Sequence, residues 1–171
     1  MKNNTSVGYI GPKIKLGNLS KELSPSLELK ILKCHKEAQI PTYQTEGAAG
    51  MDLCAALDEP CTIEPFERKL IPTGIKVEIP MGYELQVRPR SGLSIKAGIT
   101  LVNCVGTIDE DYRGEICVPM INLSNTSYTI NSGDRIAQMI LAKVPKATIV
   151  EVSELSETQR GEGGFGSTGT K

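Results

Sequence analysis

Short stretches of alternating apolar and polar residues, each broken off by turn-forming residues, constrain this chain more than any other feature. Leu27-Glu28-Leu29-Lys30-Ile31, Ile75-Lys76-Val77-Glu78-Ile79 and Tyr83-Glu84-Leu85-Gln86-Val87 have period two, the mark of a strand with one buried face. Further strands are predicted over 99–104, 115–122, 127–131, 136–144 and 147–152. The breaks carry turn chemistry, as in Pro80-Met81-Gly82, Tyr112-Arg113-Gly114 and Asn131-Ser132-Gly133-Asp134. Only Ser91–Ala97 reads as a short helix, with Ser91 as its N-cap. The 17 Gly and 10 Pro, with aromatics at 4 % and no Trp, favour many turns over a helical bundle. The expected architecture is all-β, a jelly-roll-like sandwich or barrel with one short helix.

The 171 residues suit one domain with its own core. Residues 1–26, rich in Lys, Asn, Gly and Ser, read as a flexible arm with little to bury. The β domain follows over 27–153, and 154–171 is a Gly-rich tail. A net charge of −1 gives no electrostatic case for nucleic acid or a membrane surface as partner. No apolar run approaches the roughly 18 residues of a membrane span. The first residues lack the apolar core of a secretory signal, and the first Arg is Arg68, which leaves a cytoplasmic location as the expectation. The 5 Cys (34, 54, 61, 104, 117) show no C-x-x-C spacing and His35 is the one His, so reduced thiols are expected rather than a zinc cage.

Three clusters could carry chemistry. The tail Arg160-Gly-Glu-Gly-Gly-Phe-Gly-Ser-Thr-Gly169 is either a plain chain end or a phosphate-binding flap. Its Gly residues let successive N–H groups converge, Ser167 and Thr168 add hydroxyl donors, Arg160 forks onto phosphate, and Phe165 offers a stacking face for a base. Arg88-Pro89-Arg90-Ser91-Gly92 is either a solvated strand end or a strand-to-helix junction whose free donors meet a polyphosphate. Gly106-Thr107-Ile108-Asp109-Glu110-Asp111-Tyr112-Arg113-Gly114 is either an exposed acidic hairpin turn or the seat of a general base. A strand running on through Thr107 and Ile108 would turn Asp109 inward, where a carboxylate near phosphate can activate water. Asn103, on the apparent opposing strand, carries an amide suited to a pyrimidine edge. Gln138 enters a strand facing a polar site, and Asp52 is a possible buried cap.

In order along the chain, Ala49-Gly-Met-Asp-Leu53, Arg88-Pro-Arg-Ser-Gly-Leu93 with Lys96, Gly106 to Arg113, Gly133-Asp-Arg-Ile-Ala-Gln138 and the Phe165-bearing tail resemble the five motifs of the homotrimeric dUTPase family. The one departure is Met51, where many members carry an aromatic residue or Leu. The resemblance implies a Mg²⁺-dependent hydrolase that converts dUTP to dUMP and pyrophosphate, keeping uracil out of DNA and supplying dUMP for thymidylate synthesis. It implies a homotrimer with active sites shared between subunits. Asp109 would be the base that activates the attacking water. Arg90, Ser91, Gly92 and Gln138 would contact the phosphates. Asn103 and the 103–117 hairpin, with Thr107, Ile108 and Cys117, would read uracil and leave no room for a 5-methyl group. Tyr112 would lie under the deoxyribose and clash with a ribose 2′-hydroxyl. Arg160, Phe165, Gly166, Ser167 and Thr168 would close from another subunit. Mg²⁺ would be held by phosphates and waters, with no direct protein ligand, and Asp52 would hold one of the waters. The rival readings are a dCTP deaminase of the same fold and a nucleotide-gated regulatory binding protein that would use the arm 1–26.

Overall fold

The computed structural model describes residues 27–164. Ten strands and one helix follow in the order β1 (Lys30–Lys33), β2 (Met51–Cys54), β3 (Cys61–Ile63), β4 (Arg68–Glu78), β5 (Tyr83–Arg88), α1 (Ser91–Ala97), β6 (Ile99–Leu101), β7 (Gly106–Ile108), β8 (Glu115–Asn122), β9 (Tyr128–Ile130) and β10 (Arg135–Lys143). Two four-stranded sheets, β1-β4-β8-β6 and β2-β10-β5-β7, and a ribbon β3-β9 are antiparallel throughout. Leu53, Leu85, Val87 and Met139 from one sheet and Ile71, Val77, Ile116, Val118 and Met120 from the other enter a single core. That makes the fold an all-β, jelly-roll-like sandwich with one short helix.

Alternation explains the strands that are easiest to read. In β8 every second side chain, Ile116, Val118, Met120 and Asn122, is buried. Asn122 is the polar exception, and its amide is used fully: Nδ2 donates to the carbonyls of Ile63 and Thr126, while Oδ1 accepts from Ser124 N–H and Oγ. This bonding removes the cost of a buried amide and ties the end of β8 to β3 and to the loop that leads into β9.

The helix spans the expected residues, but Ser91 is not its cap. Arg90 occupies the N-cap position with extended backbone and no side-chain cap, so Ser91 is the first helical residue with its hydroxyl free of that duty. Gly98 ends the helix in the left-handed region and donates its N–H to Ser94 O.

Several expected strands differ. The 27–31 stretch pairs only from Lys30 on, opposite Glu78. The 99–104 strand stops at Leu101, because the chain crosses there to the other sheet. β7 and β8 therefore belong to different sheets, and 103–117 is not a hydrogen-bonded hairpin. Residues 147–152 are not a strand: they run exposed without a ladder partner among the described residues. β4 is longer than its alternation suggests, because Pro72 and Gly74 look like breakers in the sequence. They sit where the β4–β8 register shifts between Pro72 and Lys76, a bulge that keeps pairing on both sides.

Gly74 has φ 68° and packs so closely that a Cβ would lie 2.7, 2.8 and 2.9 Å from the Cβ atoms of His35, Ala38 and Ala56. Gly74→Ala is therefore expected to lower the unfolding free energy by at least about 2 kcal/mol, from left-handed backbone strain plus overpacking. Chemical denaturation would measure the loss, and wild-type stability would contradict the close packing.

Candidate functional site

Three neighbouring strands build the first cleft. β2, β10 and β5 lie side by side, and their register sets Asp52 opposite Gln138 and Gln138 opposite Arg88. Just beyond Arg88 the chain turns into α1, and Gln138 Nε2 donates to Pro89 O at 3.0 Å, pinning that turn. Asp52, 14 % exposed, holds two guanidinium groups: Arg90 Nε lies 3.1 Å from its Oδ1 and Arg135 Nη1 lies 3.1 Å from its Oδ2. Arg90 Nη1 also donates to Arg135 O at 3.1 Å. One carboxylate thus fixes both guanidiniums at the mouth of a concavity of about 580 Å³.

Around that concavity stand Ser91, Gly92, Leu93, Lys96, Tyr128 and Asp134 as well. Three cations (Arg90, Lys96, Arg135) face two carboxylates (Asp52, Asp134), so the lining is net positive. A side chain at Gly92 would meet nothing within 4 Å, so its backbone is open to a ligand's approach. Fixed guanidiniums, a hydroxyl and open backbone amides suit an anion with several oxygens. Nearby, burial first and Asp52 second raise the pKa of Cys54 above that of an ordinary thiol, which keeps it neutral.

The second cleft, about 490 Å³, lies elsewhere: Gly82, Tyr83, Glu84, Asp109, Glu110, Asp111, Val144 and Lys146 line it. Ile108 pairs with Leu85 and packs on the core, and β7 ends there. Asp109 is the next residue and is exposed. The inward orientation expected for it is not found in the single chain, because the strand stops one residue short and Ile108 takes the inner place. The two clefts flank opposite ends of β5. Glu84 borders the second and Arg90 the first, six residues on, or roughly 20 Å of extended chain.

The other candidates scatter. Tyr112 is exposed and its hydroxyl donates to Glu115 O at 2.9 Å. Its ring lies over Gly114, where any Cβ would collide with it. Asn103 is exposed in the crossing between β6 and β7, not on an opposing strand, with Nδ2 close to Gly106. Thr107 is exposed on β7. Cys117 lies on β8, in the other sheet and opposite Pro72; burial chiefly, then Glu115, raises its thiol pKa. Arg160 is exposed and closes a local turn, Nε donating to Gly163 O at 2.7 Å. Phe165, Gly166, Ser167 and Thr168 lie outside the described residues, as does the arm 1–26. All 5 cysteines are free thiols. Among the described residues no three His, Cys, Asp or Glu side chains gather to hold a metal.

Sequence reasoning missed Arg135, Asp134 and Tyr128 as cleft residues. The first two stand inside the Gly133-to-Gln138 motif, so that motif was the available signal; Tyr128 arrives from β9 and leaves no local trace.

The dUTPase family profile matches residues 36–169. A Finegoldia magna protein named deoxyuridine 5'-triphosphate nucleotidohydrolase is 62 % identical over 130 residues, covering 76 % of this chain and 91 % of its own length. A Fusobacterium nucleatum protein of the same name is 52 % identical over 143 residues, with 84 % and 97 % covered. The solved structure of Staphylococcus bacteriophage 80alpha dUTPase with dUPNHPP superposes with TM-score 0.77 at 29 % identity, over 83 % of this chain and 98 % of that one.

Arg90→Lys is expected to weaken binding of tripolyphosphate about tenfold or more, as calorimetry would show. A single ammonium cannot meet Asp52 and Arg135 O and still fork onto phosphate oxygens. Unchanged affinity would remove Arg90 from the anion site.

Proposed function

The chain belongs to the dUTPase family and hydrolyses dUTP, and we propose that it does so through an active site assembled from more than one copy of itself. The observation that carries this reading is the separation along β5. The guanidinium cleft and Asp109 sit at opposite ends of one strand, too far apart for one substrate within one chain. A second copy must bring an Asp109 to each phosphate cleft, and cyclic symmetry gives equivalent sites at every interface. A homotrimer with three shared sites is the assembly proposed. The exposed apolar residues Ile149, Val150, Val152 and Leu155 support it, since a chain segment this apolar calls for a surface to cover it.

Within that site Arg90, Ser91, Gly92 and Gln138 bind the phosphates. Asp52 holds Arg90 in place, and Gln138 sets the Pro89 turn from which Arg90 and Ser91 project. Pre-fixed donors of this kind stabilise charge on the leaving pyrophosphate without reorganising. Asp109 takes a proton from the water that attacks the α-phosphorus in line, giving dUMP and pyrophosphate. Asn103, Thr107, Ile108 and Cys117 lie on the segments that would read the uracil, and Tyr112 that which excludes a 2′-hydroxyl. From the sequence, Arg160 and Phe165 to Thr168 serve to cover the nucleotide, Phe165 by stacking on the base.

The donor set fits Mg²⁺ as a cation carried on the substrate's own phosphates. Both Asp52 oxygens already meet guanidiniums, which leaves Asp52 to hold a water at most. When bound, the ion would neutralise phosphate charge and favour one triphosphate conformation.

Pyrophosphate release measured with dUTP, dCTP, dTTP and UTP is expected to show strong preference for dUTP, and Asp109→Asn to lower turnover by roughly 10²–10⁴-fold with binding largely kept. Release of ammonia from dCTP would favour the deaminase reading, and dUTP binding without pyrophosphate the regulatory one. Near-normal turnover in Asp109→Asn would exclude it as the base.

Mixing Asp109→Asn chains with chains ending at Gln159 is expected to restore activity that neither has alone, because hybrid assemblies contain complete sites. A monomer by light scattering would sink the shared-site reading.

A further inference from the structure

The loop that carries Asp109 has few bonds to the rest of the chain. β7 ends at Ile108, and residues 109–114 lie outside every ladder. Most of the loop's hydrogen bonds are internal or reach only to its own end. Tyr112 N–H donates to Asp109 O at 3.1 Å, Arg113 Nη1 donates to Glu110 O at 2.6 Å and Tyr112 O at 2.9 Å, and Tyr112 Oη donates to Glu115 O. Such bonds shape the loop without locating it. Among the described residues a single side-chain hydrogen bond joins it to a distant part of the chain. Gly82 N–H donates to Glu110 Oε2 at 2.7 Å, across 28 positions of sequence.

The partner is a firm post. Gly82 sits in the turn between β4 and β5 with φ 79°, and Tyr83 N–H closes that turn on Pro80 O at 3.2 Å. On its other side, Gly82 O accepts from Val144 N–H at 2.8 Å, at the end of β10. The post is therefore braced by the ends of three long strands, while the loop is braced by Glu110.

From this arrangement we infer that Glu110 is a positioning residue for catalysis: its carboxylate anchors the Asp109 loop to the Gly82 turn and so sets where the base stands. The inference rests on the reading of Asp109 as the base. Glu110 needs no contact with substrate for this role; it needs only an oxygen that accepts from Gly82. Its negative charge, close to those of Glu84, Asp109 and Asp111 and to Lys146, is not what the role requires.

That distinction sets the test. Glu110→Gln keeps an acceptor oxygen and loses the charge, whereas Glu110→Ala loses both. Steady-state kinetics with dUTP are expected to show kcat about tenfold to a hundredfold lower for Glu110→Ala, the range for a catalytic group displaced by up to about 1 Å. KM should rise less than kcat falls, because the phosphate cleft at the far end of β5 is untouched while Tyr112 shares the loop with Asp109. Glu110→Gln is expected to restore kcat. Amide exchange at Gly82, followed by NMR, should be slow in wild type and in Glu110→Gln and fast in Glu110→Ala. Wild-type kcat in Glu110→Ala, beside an inactive Asp109→Asn, would overturn the positioning role while leaving the base in place. Equal losses in the Gln and Ala variants would assign the effect to charge and overturn it as well. Turnover retained in Asp109→Asn would remove the base reading itself.

Discussion

Every ladder in this fold joins strands that are not neighbours in sequence. Successive strands pass from one sheet to the other or to the ribbon, so β4 finds β1 and β8, and β10 finds β2 and β5. Among the described residues no local hairpin pre-pays the closure of a pair, and the entropy of each loop must be met by burial in the shared core. This requirement explains the strictness of the alternation in β8 and the fully bonded Asn122. A buried side chain in the wrong register would undo pairings on both of its flanks.

The same crossing pattern decides what a single chain can present. β5 lies inside its sheet, flanked by β10 and β7, and its two ends open onto two clefts of different chemistry. One end gathers guanidiniums around Asp52, the other gathers carboxylates around the Asp109 loop. Keeping them apart has a physical benefit within the single chain. The acidic group does not neutralise the basic cleft, and neither has to be buried alone. The cationic lining stays net positive because the carboxylate that pairs with its guanidiniums, Asp52, is shared between two of them.

Much of this was legible in the sequence, and the exceptions share a cause. α1 and β8 were read residue for residue, since each satisfies its own periodicity and ends at a Gly or a turn. β4 was half hidden because Pro72 and Gly74 act as breakers locally and as a bulge globally. β2 and β3 are too short, at 4 and 3 residues, to show a period. Residues 147–152 are rich in β-branched side chains yet form no strand, because a strand needs a partner as well as a propensity. The motifs named Asp52, Arg90 and Gln138 as site residues, but not that Asp52 would bracket Arg90 and Arg135, a contact 83 positions apart in the second case. The direction of Asp109 was misjudged for a related reason: alternation holds only while the ladder lasts, and β7 ends at Ile108.

The exposed segment after β10 has one more consequence, for how the chain avoids unwanted pairing. Ile149, Val150 and Val152 present an unpaired, β-branched run, and Leu155 beyond it is 87 % exposed. Such a run is the sort that recruits foreign strand edges and seeds aggregation. Its neighbours act as gatekeepers. Pro145 interrupts the donors on one side, Lys146 stands before the run, and Glu151 and Glu154 place charge within and after it. The segment thus carries its own protection against promiscuous pairing with foreign strand edges.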